Sequence, residues 1–241
     1  NTSAYAAAFV NGGFEAGDLS GWTEGGGDWT NPTFPGDGSQ LPTAANYVGG
    51  TPNNAIMNGG VDPITGANRV FTGSYSVRVN DSVNDWSVST ISQTVANYTD
   101  QFIYFAWNAV LEASHDLDDS DYFSLSLYNE TTGTTVLNRA YSSAGSVGGG
   151  TSGVTWTAFG RWFSSGWVTE SIDLQALGMQ GDTFTLSLLA SDCPYGGHAG
   201  YVYLDGFGGQ RPNPTPEPAS LALVGLGLAG LAAARRRRKA A

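Results

Sequence analysis

From Val70 to Phe207 the chain repeatedly alternates apolar and polar residues, and no apolar stripe recurs at helical spacing. A period of two is the mark of a strand with one buried face and one wet face. Gly73–Asn80 (GSYSVRVN) sends Tyr75, Val77 and Val79 to one side. Trp86–Val95 and Tyr122–Tyr128 repeat the pattern. Gln101–Glu112 (QFIYFAWNAVLE) is nearly continuous apolar, which predicts a central strand covered on both faces. A short strand start at Phe9, weaker alternation in Thr134–Tyr141, Trp167–Leu174 with a terminal turn or one helical turn, Phe184–Ala190 and Gly200–Phe207 complete the series. Roughly nine strands separated by turn residues predict an all-β fold, a two-sheet antiparallel jelly-roll sandwich.

Between these strands lies a long excursion, Glu24–Asn68, rich in Gly, Pro, Asn and Thr and poor in periodicity. A loop of that length in a compact domain is functional or disordered as a rule. Of 241 residues, those numbered 9–210 suit one β-sandwich domain. Residues 211–216 (RPNPTP) read as an extended spacer. The 34 glycines and the low charged fraction of 13% are a strand-and-turn composition.

Charge narrows the function. Up to Arg211 there are five arginines and no lysine against 20 acids, a net −15. Such a body does not bind nucleic acid through phosphates; its acidity suits solubility outside a cell or cation binding. A single cysteine, Cys193, excludes an intramolecular disulfide. Residues 1–8 (NTSAYAAA) read either as what remains beside a signal-peptide cleavage site or as an ordered start. A short apolar segment, Ala4–Val10, could also add as a strand to a neighbour's sheet edge and so support self-association.

The last 26 residues have three parts: Pro216-Glu217-Pro218, an uncharged run Ala219–Ala234, and Arg235-Arg236-Arg237-Arg238-Lys239. The run is short for a membrane span of about 20 residues, but flanking cations extend it by snorkelling and hold that end in the cytoplasm. A C-terminal hydrophobic helix over residues 216–241, with everything before it outside, is expected. In this three-part order the tail resembles the PEP-CTERM sorting signal of exported proteins in Gram-negative bacteria that make exopolysaccharide. The resemblance implies an exosortase-type enzyme as processing partner, cleavage near Pro216–Pro218, and a surface or secreted destination after transient anchoring in the inner membrane.

Phe9–Thr23 (FVNGGFEAGDLSGWT) resembles the opening of jelly-roll carbohydrate-binding modules. That resemblance implies a structural calcium held by Glu15, by carbonyls near Gly73 and Ser74, and by Asp205. The alternative is that Glu15 and Asp205 only accept hydrogen bonds from strand-end amides. Asp116, Asp118 and Asp121 crowd one acidic turn, which is either solvated or a second cation loop; no Gly stands at its sixth position. Cys193 and His198 fall short of the three or four ligands of a zinc site. Trp29 and Trp162, both beside turn residues, are the candidates for exposed sugar-stacking rings. No nucleophile elbow, phosphate loop or motif-flanked carboxylate pair is present, so the expectation is a non-enzymatic surface or matrix protein that contacts extracellular polysaccharide. An extracellular filament subunit and a secreted glycan hydrolase are the alternatives.

Overall fold

The computed structural model describes residues 8–29, 47–115, 120–144 and 153–214. In chain order its strands are β1 (Thr23–Trp29), β2 (Tyr47–Gly49), β3 (Ala55–Asn58), β4 (Tyr75–Val79), β5 (Ser87–Val95) and β6 (Phe102–Glu112). Then come β7 (Tyr122–Asn129), β8 (Thr134–Ser142), β9 (Thr157–Phe159), β10 (Trp162–Ser164), β11 (Val168–Asp173), a single helical turn α1 (Leu174–Leu177), β12 (Phe184–Ser191) and β13 (Gly200–Gly208). Six strands form one sheet in the order β2-β1-β5-β12-β7-β8; seven form the other, β3-β4-β13-β6-β10-β9, with β11 also on β6. The fold is an all-β jelly-roll sandwich whose paired strands run antiparallel.

Alternation fills the space between the sheets. Val77 and Val79 of β4, Ile103, Phe105, Trp107, Ala109 and Leu111 of β6, and Leu186 and Leu188 of β12 are buried in one cluster. Aromatic rings interlock there: Phe105 lies 4.7 Å from Phe207 and Trp107 lies 5.0 Å from Phe123. From Phe105 to Glu112 β6 is buried on both faces, as predicted, while Phe102 and Tyr104 at its start are half-buried.

A charged side chain, that of Glu170, reaches into this core. Glu170 pairs across from Phe105 and is almost buried. Its Oε1 accepts from Trp107 Nε1 at 3.1 Å, and Arg139 grips both oxygens, Nε to Oε1 at 2.7 Å and Nη2 to Oε2 at 2.8 Å.

Two expectations are corrected. Three strands, β1, β2 and β3, lie within or beside the Glu24–Asn68 excursion. β1 is hidden in TEGGGDW because its glycines are steric: a Cβ on Gly26 would collide with the Pro52 backbone, and one on Gly25 would press on Thr90 Oγ1. Phe9 starts no strand. Gln93 takes over the ladder there, accepting from Val10 N at 2.7 Å and donating to Val10 O at 2.9 Å. Phe9 is buried in this chain's own core, so residues 9–10 are not free to add to a neighbour's edge; residues 4–7 lie outside the described residues, as does the sorting tail with its expected helix. Among the described residues no helix is long and apolar enough to cross a membrane.

Strand direction gives the sandwich two ends. Val202 faces Val79 and Leu204 faces Val77, so β13 begins where β4 ends and ends where β4 begins.

Candidate functional site

At the end where β4 begins, Glu15 and Asp205 meet. Glu15 is presented by a turn, its Oε1 accepting from Ser74 N at 2.9 Å and Tyr75 N at 3.1 Å. Asp205, on the last strand, is buried; its Oδ2 accepts from Phe71 N and Thr72 N, both at 2.9 Å. Its Oδ1 has no hydrogen-bond partner. Burial, with the Glu15 charge adding to it, pushes the Asp205 carboxyl up to about 7 against the pull of three backbone amides. A buried carboxylate oxygen left without a donor, beside a second carboxylate, is a donor set that fits a hard cation.

Gly73 makes the approach feasible. Its φ is +69°, and a Cβ there would run into the Glu15 carboxylate. From Ser74 it is the N–H that faces Glu15, donating to Oε1 at 2.9 Å and Oε2 at 3.1 Å. Gly73→Ala is expected to cost about 1–3 kcal/mol, read as a lower urea midpoint, because it adds both left-handed strain and a clash.

The opposite end holds a second set of buried acids. Asp121 is fully buried and accepts from Glu112 N at 2.8 Å. That bond falls on Oδ2, and Oδ1 has no hydrogen-bond partner; Asp116 and Asp118 of the acidic turn lie outside the described residues. Asp192 takes Asn80 Nδ2 at 3.0 Å on one oxygen, and Asp85 N, Ser87 N and Ser87 Oγ at 3.0–3.2 Å on the other. Burial raises both carboxyls well above the ordinary range. Cys193 is buried in the turn that His198 closes, the Cys193 N–H donating to His198 O at 3.0 Å. Among the described residues no group of three His, Cys, Asp or Glu is arranged around a common metal position.

The outward face of the seven-stranded sheet is aromatic. Tyr201 and Tyr203 of β13 point there beside Val110, and Trp162 and Trp167 pack on them, with ring separations of 6.0 Å (Trp162–Tyr201) and 6.3 Å (Trp167–Tyr203). Both tryptophans stay partly open to solvent. The segment after β3 folds over the tyrosines: buried Asp62 accepts from both hydroxyls on Oδ2, at 2.7 and 2.8 Å. Burial opposes the Asp62 charge, but the bonds from Tyr201, Thr65 and Tyr203 outweigh it and hold the carboxyl below its usual value, while burial and Asp62 push both phenols up. Arg78 stands over the Tyr201 ring at 6.0 Å. Asn108, across from Tyr203 and fully buried, accepts from Ser164 Oγ at 2.9 Å. Trp162 thus lies on a face with other rings. Trp29 does not: it is 6% exposed and its Nε1 donates to Asp192 O at 3.1 Å. It was expected at the surface because turn residues flank it, but the end of β1 is folded under.

Residues 214–238 match the PEP-CTERM protein-sorting motif. No curated protein matches the chain. Among solved structures, the chain is similar to TmCBM61 in complex with β-1,4-galactotriose, at 12% identity over 83% of this chain and 95% of that one, with a TM-score of 0.41. It is similar to Caldicellulosiruptor saccharolyticus CBM27-1 in complex with mannohexaose, at 10% identity over 85% of this chain and 97% of that one, TM-score 0.41. A third similar structure is CBM28, a carbohydrate-binding module specific for non-crystalline cellulose, at 12% identity over 85% and 93% of the two chains, TM-score 0.39.

Proposed function

We propose that this chain is a non-catalytic protein of the bacterial surface or extracellular matrix that binds neutral polysaccharide through the outward face of its seven-stranded sheet. The observation that carries this reading is the pair of partly open tryptophans, Trp162 and Trp167, backed by the buried rings of Tyr201 and Tyr203. Sugar rings present C–H faces that pack on aromatic rings and hydroxyl edges that need hydrogen-bond partners. The body's net −15 charge favours neutral chains over uronate polymers. The PEP-CTERM motif supports export and processing by an exosortase-type enzyme of a Gram-negative host.

Calcium at Glu15 and Asp205 belongs to the same proposal. Glu15 and Asp205 would hold the ion, which would tie the opening turn to the last strand and supply charge balance to a buried carboxylate.

The test is affinity electrophoresis of the full chain through gels containing soluble neutral glycans. Trp162→Ala is expected to weaken retardation about tenfold while leaving the melting temperature near that of the parent. Equal retardation of the variant, or none for the parent on any neutral glycan, would count against the reading. Incubation with the same polymers is expected to release no new reducing ends.

A further inference from the structure

Two loops at the end remote from Glu15 carry the aromatic rings most open to solvent among the described residues, each about half exposed. The β4–β5 loop and the β12–β13 loop are laced together. Asp192 receives Asp85 N and Ser87 N, the amides on either side of Trp86. Asn84 Oδ1 accepts from Gly197 N at 2.6 Å, and Trp86 O accepts from Trp29 N at 3.0 Å. The Trp86 indole lies against Gly196, where an added Cβ would sit 2.8 Å from Nε1.

Trp86 has φ +65°, a left-handed conformation that costs a bulky residue about 1–3 kcal/mol. Among the described residues, the other positive-φ residues that are not glycine are three asparagines and Phe14. Asparagine tolerates the region. Phe14 is 0% exposed and stacks on Trp22 at 5.2 Å, so core packing offsets its strain. Trp86 is 48% exposed, and its strain is not recovered in that way. Tyr195, 51% exposed, stands on the facing loop, and these two are the exposed aromatic residues among the described ones. Strain retained at an exposed ring, on a backbone clamped from both sides, is what a preorganised contact surface requires.

We propose that Trp86 and Tyr195 form a second sugar-binding subsite, at the loop end of the sandwich, that stacks one ring of a neutral glycan. This rests on the polysaccharide-binding reading above and adds a place to it. Two rings and Val83 offer too little area for a stable protein interface, which buries on the order of 1,200–2,000 Å². Asp81 and Asp85 on the same loop repel uronates and supply acceptors for sugar hydroxyls.

Trp86→Gly separates binding from folding, because it removes the ring and also the left-handed penalty. With the full chain, affinity electrophoresis in soluble neutral glycans and in polygalacturonate is expected to show about tenfold weaker neutral-glycan binding for Trp86→Gly and for Tyr195→Ala. The melting temperature of Trp86→Gly is expected to stay level or rise. Glycan addition is expected to blue-shift tryptophan fluorescence in the parent, with a smaller shift in Trp86→Gly. A lower melting temperature with unchanged glycan affinity would assign Trp86 to structure and overturn the subsite. Affinity lost in Trp162→Ala but intact in Trp86→Gly and Tyr195→Ala would overturn the subsite alone. A parent that binds no neutral glycan, or prefers polygalacturonate, would overturn both readings.

Discussion

Arg139→Met is expected to lower unfolding free energy by about 2–4 kcal/mol in urea titrations near neutral pH. Glu170 faces the core with 10% of its side chain accessible, and the Arg139 guanidinium is the cation that reaches it among the described residues. Removing the partner leaves a carboxylate among Trp107, Phe105 and Ile172 with one indole donor. The figure sits below that for a fully buried pair because 34% of the arginine side chain is open to water. The Arg139→Met, Glu170→Leu double variant is expected to recover most of the loss, keeping only the cost of an unpaired Trp107 Nε1. A single variant as stable as the parent would show that water reaches Glu170.

A second large effect is expected at Asp205, through pH and calcium together. Its folded pKa of about 7 lies above the unfolded value near 3.9. The protonated form is thus the one that folding favours. In chelator, the contribution of this group is complete below pH ~4 and is lost as pH rises through about 7, by about 4 kcal/mol in all. Calcium reverses the sign, since it binds the ionised carboxylate and only in the folded chain. Melting temperatures at pH 4.5 and pH 7.5, with chelator and with millimolar calcium, should diverge at pH 7.5 and converge at pH 4.5. Asp205→Asn is expected to abolish the calcium response and flatten the chelator curve, which separates this group from Asp121 and Asp192, whose raised pKa values act in the same direction. A calcium response that survives in Asp205→Asn would move the ion elsewhere.

What could be read from the sequence follows from which physics leaves a periodic trace. β4 to β8 and β11 to β13 were legible because inward side chains must be apolar and outward ones need not be. β1 was not, because its glycines answer to the close approach of Pro52 and Thr90 and carry no period. The short β9 and β10 have three residues each, too few to display an alternation, and β9 is largely exposed. Glu15 and Asp205, 190 residues apart, were paired through a resemblance; no spacing rule joins residues so remote. Gly200–Phe207 was legible as a strand, yet nothing local told that Asp62 would cap its Tyr201 and Tyr203. Trp86 looked like one more residue of an alternating segment. Its left-handed backbone is imposed by Asp192, 106 positions later, and has no signature in its neighbours.

The direction of the last strand sets how the molecule would stand on a surface. β13 delivers the chain to Asp205 and Gly206, and Pro212 packs against Gly206, so the segment leading to the sorting motif leaves from that pole. A pull on the chain beyond residue 214 would act on the Glu15 pole. Trp86 and Tyr195 then point away from the attachment, one strand length of about 25–30 Å further out. A tether at that pole makes the sandwich a spacer with its rings at the distal tip, where they would meet a polymer before any other part of the body does.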